Sequence, residues 1–131
     1  MKIISPECLG RPRGYANGVL AEAGGRLLFV AGQIAWDENQ QLVSEDFVEQ
    51  FARALSNILA VVVAAGGAAE HVARLTVYVT DKREYLARTR EVGERFRALM
   101  GKHYPAMSLV EVRSLLEDGA KVEIEATAVL P

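Results

Sequence analysis

The chain of 131 residues is poor in cysteine, in excess positive charge and in metal-binding histidine patterns. Its one cysteine, Cys8, excludes an intrachain disulfide and predicts a reducing, cytoplasmic setting. The 15 Lys and Arg against 17 Asp and Glu leave a formal charge of −2, so the basic footprint typical of nucleic-acid binding is missing. His71 and His103 are isolated and have no zinc-binding spacing. We therefore expect no nucleic acid, no metal and no cofactor.

Long hydrophobic runs are also missing. The apolar stretch 58–69 is well short of the roughly 20 residues that a membrane-spanning helix needs, so no membrane partner is expected. Residues 1–7 carry an early proline and glutamate and do not resemble a signal peptide. With 50% hydrophobic and 24% charged residues, the composition is typical of a globular protein. The length fits a single domain, 1–131.

The apolar patterns along the chain predict the element order β-β-β-α-β-α-β-β. Gly24 and Gly25 are typical of a hairpin turn between the second and third strands. Ser44 and Asp81 are the predicted N-caps of the two helices, and glycines follow both helices. The predicted strands are 2–5, 19–23, 26–32, 75–79, 107–112 and 122–129, and the predicted helices are 45–65 and 82–100.

Two helices of this length cover only one face of a sheet. The strands at 27–30 and 107–112 nevertheless carry apolar residues on both alternating faces, a pattern typical of strands that are covered on both sides. No further segment of the chain remains to cover the second face. The sequence therefore predicts a homo-oligomer. The alternative is an unusually apolar face that stays open.

The second helix carries a candidate anion-binding group. At about 100° per residue, Arg83, Arg90 and Arg97 lie on one stripe beside Gly93. One interpretation is a solvated edge with interleaved glutamates. The other is that Arg90 reaches an anion in a cleft, with Gly93 leaving room for it.

The last strand carries a candidate acid–base group. Val122 and Ile124 alternate with Glu123 and Glu125, so the two carboxylates point away from the helices. That is the face for which a partner subunit is expected. A carboxylate there needs an ion-pair partner or a chemical role, because an unpaired buried charge is too costly. An interface salt bridge and a catalytic role both stay open.

Several short motifs resemble, in order, those of the Rid family, also called YjgF or the reactive intermediate deaminase family. The resemblance runs from residue 14 to residue 129 and implies a chorismate-mutase-like α+β fold with a mixed sheet and two helices on one face. It also implies a homotrimer with a central β-barrel and three clefts between subunits. The motifs are Gly14-Tyr15-Ala16, Leu28-Phe29-Val30-Ala31-Gly32-Gln33-Ile34, Asn57-Ile58-Leu59, Thr76-Val77-Tyr78-Val79-Thr80-Asp81, Pro105-Ala106, Val110-Glu111-Val112 and Val122-Glu123-Ile124-Glu125-Ala126.

In the deaminase branch of that family, the clefts hydrolyse 2-imino and enamino acids. The resemblance implies that Glu125 positions the attacking water and that Tyr15 lines the pocket. Where the branch has Pro-Ala-Arg, this chain has Met107 in place of the arginine that holds the substrate carboxylate. The candidate site therefore consists of catalytic Glu125 and substrate-binding Tyr15, Ala31, Gly32, Gln33, Arg90, Met107 and Leu109, of which Ala31, Arg90 and Leu109 also depart from the family pattern.

This combination predicts a cytoplasmic trimer that hydrolyses an imine or enamine other than the usual 2-imino acids. An iminium carbon is already electrophilic, so a carboxylate that places water retains much of the chemistry. One alternative is a non-catalytic small-molecule-binding or regulatory trimer. A second alternative is an endoribonuclease or translation inhibitor. The net negative charge and the lack of a basic stripe with interleaved aromatic residues argue against it.

Overall fold

The computed structural model describes all residues, 1–131, and contains six strands and three α-helices. The predicted α+β order is confirmed, except that the second helix is divided at Arg88 into two. Short 3₁₀ turns lie at Glu7–Leu9 and Ala69–His71. The elements are β1 (Lys2–Ile4), β2 (Gly18–Leu20), β3 (Arg26–Gln33), α1 (Phe47–Ala64), β4 (Val72–Val79), α2 (Lys82–Ala87), α3 (Thr89–Met100), β5 (Ala106–Glu111) and β6 (Val122–Leu130).

The ends of α1 follow from local capping. The side chain of Asp46 accepts a hydrogen bond from the backbone N–H of Glu49 at 3.0 Å, so Asp46 is the N-cap. The prediction of Ser44 as the cap is wrong, because its hydroxyl instead accepts from the N–H of Asp46 at 3.0 Å. At the other end, Gly66 has φ 89°, and the N–H groups of Gly66 and Gly67 donate to carbonyls of the last turn at 2.9 Å. This glycine-dependent end agrees with the sequence prediction.

The main sheet has the strand order β3-β6-β4-β5 and is mixed, as predicted. Its strands pair antiparallel except for β4 and β5, which are parallel. The predicted hairpin between β2 and β3 is wrong. The two strands do not pair, and β2 instead forms a separate two-stranded sheet with β1. The nine residues of β6 offer β3 a longer hydrogen-bonded ladder than the three residues of β2 could offer.

The hydrophobic core lies between one face of this sheet and helices α1 and α3. Along β6, Val122, Ile124, Ala126 and Ala128 are buried while the alternate residues are more exposed, as predicted. Helix α1 packs on β3 and β6, and α3 packs on α1. The 18 residues of α1, with mean hydropathy 1.4, are long and apolar enough to cross a membrane, but half of them are buried in the fold. Core helices of soluble proteins can have the same length and composition, so these features are weak evidence for a membrane span.

The other face of the sheet is covered by no helix of the chain. On it, Phe29 is 74% exposed, Leu27 is 62% exposed and Val110 is 42% exposed. Large apolar side chains are thus exposed on both edge strands of this face, β3 and β5, where the sequence predicts a partner subunit. A single chain does not test the homotrimer, which stays a prediction.

Candidate functional site

A cavity of about 490 Å³ lies beside the edge strand β5, between that strand, α3 and the loop before β2. This volume falls within the range of small-molecule sites, about 300–1,000 Å³. Of its 14 lining residues, 9 are hydrophobic. The cavity therefore has the size and the apolar walls of a ligand site.

Backbone pairing brings three predicted site residues into this cavity. The N–H of Ala16 donates to the carbonyl of Pro105 at 2.9 Å, so the loop that carries Tyr15 runs along the start of β5. Met107 and Leu109 lie two residues apart on β5 and therefore face the same side of the sheet. Tyr15, Met107 and Leu109 line one wall together.

Two arginines also line the cavity, an arrangement that the sequence did not predict. Arg13 comes from the loop and Arg97 from α3. A Cβ placed on Gly93 would lie 3.2 Å from Nη1 of Arg97, so the glycine leaves room for the guanidinium one turn later. Neither arginine forms a salt bridge. No Asp or Glu lines this cavity, so its charged groups are all positive.

Arg90, the arginine favoured from the sequence, lies elsewhere. Its side chain is 92% exposed, and its Nε is 3.4 Å from Glu94. Arg83 likewise pairs with Asp81 at 3.1 Å. Of the three arginines in the predicted stripe, only Arg97 lines the cavity. A substrate contact for Arg90 stays a prediction.

Glu125 lies on the opposite face of the sheet from the cavity, beside a groove of about 450 Å³. The hydroxyl of Tyr78 donates to Oε1 of Glu125 at 2.7 Å, while Oε2 accepts no hydrogen bond within the chain. The Glu125 carboxylate raises the pKa of Tyr78, because a phenolate there would lose the hydrogen bond and face a negative charge. The pair holds one carboxylate oxygen and leaves the other available to accept a proton.

The segment of Ala31, Gly32 and Gln33 lies at the end of β3. Val30 pairs with Ala126 and Gln33 pairs with Ile124, so β3 has one more residue than β6 between these two pairs. The extra residue makes a β-bulge after Val30. A Cβ on Gly32 would lie 2.5 Å from Oε1 of Glu123, so a side chain there would require the Glu123 carboxylate to move. The amide of Gln33 donates to the carbonyl of Ala31 at 3.2 Å. These three residues line neither the cavity nor the groove beside Glu125.

A larger cavity of about 640 Å³ lies near the two chain ends and includes both histidines. Nδ1 of His71 accepts from the N–H of Ala68 at 2.9 Å, and Nε2 of His103 is 2.6 Å from the carbonyl of Val72. Both rings are engaged by the backbone, and no group of three or more metal-ligating side chains forms.

Known proteins resemble the chain over most of its length. Protein DfrA of Myxococcus xanthus is 37% identical over 126 residues, which are 95% of this chain and 89% of that protein. The 2-iminobutanoate/2-iminopropanoate deaminase of Salmonella typhimurium is 35% identical over 108 residues, which are 80% of each protein. The similarity to an imine deaminase thus extends well beyond a local motif.

Solved structures agree with the fold. The Rid-family protein YyfB of Yersinia pestis matches 98% of both chains with a TM-score of 0.86 and 33% identity. The structure of E. coli TdcF with bound serine matches 100% of both chains with a TM-score of 0.71 and 33% identity. These similarities define a Rid-type α+β protein. The family described as Endoribonuclease L-PSP matches residues 11–130, and the chain belongs to it, which confirms the family predicted from the motifs.

Proposed function

We propose that the chain, as a single domain of residues 1–131, forms a homotrimer whose inter-subunit clefts hydrolyse an imine or enamine other than the usual 2-imino acids. The observation that carries the proposal is the pairing of a ligand-sized apolar cavity at β5 with a hydrogen-bonded carboxylate, Glu125, on the uncovered sheet face. The similarity to the Salmonella deaminase supports the type of reaction.

Assembly is part of the proposal because the two halves of the site lie on opposite faces of one sheet. Within a single chain, Glu125 does not line the cavity that contains Met107. A second copy that covers Phe29 and Leu27 would bring its own cavity to the face that carries Glu125. Burial of such side chains contributes about 1.5–3 kcal/mol each, which favours the covered state.

The chemistry assigned to Glu125 is the placement and deprotonation of water. Tyr78 holds Oε1, so Oε2 is free to accept a proton from a water that attacks the electrophilic C=N carbon. Addition of this water gives a carbinolamine, and loss of ammonia from the carbinolamine gives the carbonyl product. No metal, cofactor, nucleic acid or membrane enters this scheme, and the cytoplasm is its proposed setting.

Substitution of Glu125→Gln tests the reaction. The amide keeps the size and the hydrogen bond to Tyr78 but accepts no proton, so turnover should fall by about 10² or more while the trimer persists. The assay measures release of the carbonyl product above spontaneous hydrolysis, with a panel of imines and enamines that extends beyond those derived from amino acids. Glu117→Gln, an exposed carboxylate on a loop, is the control and should leave the rate unchanged.

The outcomes separate this proposal from the alternatives. Unchanged turnover in Glu125→Gln would remove Glu125 from the mechanism, and loss of assembly would assign it to an interface salt bridge. Met107 favours the alternative of a non-catalytic binding trimer, because a thioether offers no donor to a substrate carboxylate. Failure of the wild-type protein to hydrolyse any imine in the panel would support that alternative.

A further inference from the structure

The five arginines between residues 83 and 97 differ in whether they pair with a carboxylate of the chain. Four of the five are paired with carboxylates of the chain, whereas Arg97 forms no salt bridge. The four pairings are Arg83 with Asp81, Arg88 with Asp46 and Glu91, Arg90 with Glu94, and Arg95 with Glu49. Arg97 is the one cation of this group that remains available, and it is also the one that lines the cavity.

The surroundings of Arg97 favour an anion. Arg13, which has no salt bridge either, lines the same cavity, and no carboxylate lines it. Both arginines are exposed, and together they give the cavity a positive charge that attracts an anion. A Cβ on Gly93 would lie 3.2 Å from Nη1 of Arg97, so a side chain there would displace the guanidinium by a few tenths of an ångström.

The rest of the cavity selects an apolar ligand body. Met107 and Leu109 form one wall, and the rings of Phe96 and Tyr104 stack with their centroids 5.6 Å apart on another. Aromatic and aliphatic walls of this kind bury an apolar group of matching size. A small polar acid would leave most of this surface without a partner.

We propose that this cavity binds a carboxylate that carries a bulky apolar group, with Arg97, assisted by Arg13, holding the anion. Arg97 contacts the anion from α3, on one side of the cavity. It takes the place of a cation on β5, where this chain has Met107. This inference rests on the proposed function, because it names the substrate class of the same cleft. It makes an imine with an apolar side chain and a carboxylate the expected substrate.

The test measures binding without turnover. The probes are 3-phenylpropanoate and its uncharged analogue 3-phenylpropanamide, titrated into the assembled protein by calorimetry. The wild type should bind the acid more tightly than the amide. Arg97→Gln should weaken binding of the acid by at least about tenfold, the loss of one charge-assisted contact, and should leave binding of the amide unchanged. Arg97→Lys should retain part of the affinity.

Two further variants complete the design. Arg95→Gln, on the same helix but paired with Glu49, should leave the affinity for the acid unchanged. Gly93→Ala should weaken binding of the acid, since the added methyl would lie 3.2 Å from the Arg97 guanidinium. Alanine is the better helix former, so this loss would not reflect unfolding.

The outcomes distinguish this inference from the proposed reaction. Equal affinity of the wild type for acid and amide, or an unchanged affinity for the acid in Arg97→Gln, would overturn it. Binding of the acid that depends on Arg97, in a protein that hydrolyses no imine, would support the anion site and contradict the proposed catalysis.

Discussion

At the scale of single residues, position 107 makes a prediction about which substrates the cavity accepts. With Met107, we expect poor hydrolysis of 2-iminopropanoate and 2-iminobutanoate, generated from serine or threonine by a dehydratase. These small acids have little apolar surface to bury against Met107 and Leu109. Met107→Arg should raise their hydrolysis by about 10- to 100-fold, the value of one charge-assisted contact.

The control for this substitution is Met107→Leu, which keeps the wall apolar and should leave the rate low. Keto-acid release is the measurement for both variants. Absence of any gain with the arginine would show that the cleft lacks more than a carboxylate contact from β5. That result would favour a binding protein over an enzyme.

The Tyr78–Glu125 pair makes a prediction about pH. The pKa of Tyr78 is raised above 10.0 in the folded protein, chiefly by its hydrogen bond to Glu125. The stabilisation by this phenol is therefore fully present below pH 10.0 and is lost as the pH rises through the raised pKa. Ultraviolet titration of tyrosinate should show one late-titrating group that disappears in Tyr78→Phe. An unchanged titration curve in that variant would contradict the pairing.

At the scale of elements, Asp46 connects the start of α1 to the junction of α2 and α3. Its carboxylate caps α1 and also accepts from Arg88 at 2.5 Å. Asp46→Ala should lower the free energy of unfolding by about 0.5–2 kcal/mol for the lost cap. Asp46→Asn should cost less, because an amide oxygen still caps the helix. Urea unfolding of both variants is the measurement.

The pH dependence distinguishes the charge of Asp46 from its capping role. The side-chain hydrogen bond from Arg88 is the main cause that lowers the pKa of Asp46 below 3.8. Its contribution to stability is therefore present above that pH and is lost as the pH falls through the lowered pKa. Asp46→Asn should remove this acid dependence. Retention of the full dependence in the variant would assign it to other carboxylates.

At the scale of the whole molecule, the open apolar face predicts the assembly. Sedimentation should show a trimer, and Phe29→Asp should dissociate it, because a charge would replace a ring that is 74% exposed in the single chain. Leu116→Asp is the control. Leu116 is 97% exposed on the loop between β5 and β6, so the change should leave assembly intact. A stable wild-type monomer would contradict the proposal.

Much of the fold follows from local sequence patterns. The alternation along β6, the apolar face of α1 and the glycine after it were predicted, because each depends on residues within a few positions of one another. The same local patterns indicated an apolar second sheet face and placed Glu125 on it. The family follows from motifs spread along the chain and needs no contact between distant residues.

Only the tertiary structure decided the pairings between distant segments. The partner of β3 is β6 and not β2, and the Asp46 carboxylate that caps α1 also binds Arg88, 42 residues away. Tyr78 meets Glu125 across 47 residues of sequence through the register of β4 on β6. Arg90 and Arg97 lie on one helix and differ in sequence context only slightly, yet only Arg97 lines the cavity. Periodicity assigns a residue to a face of its element, whereas the packing of neighbouring elements determines what that face contacts.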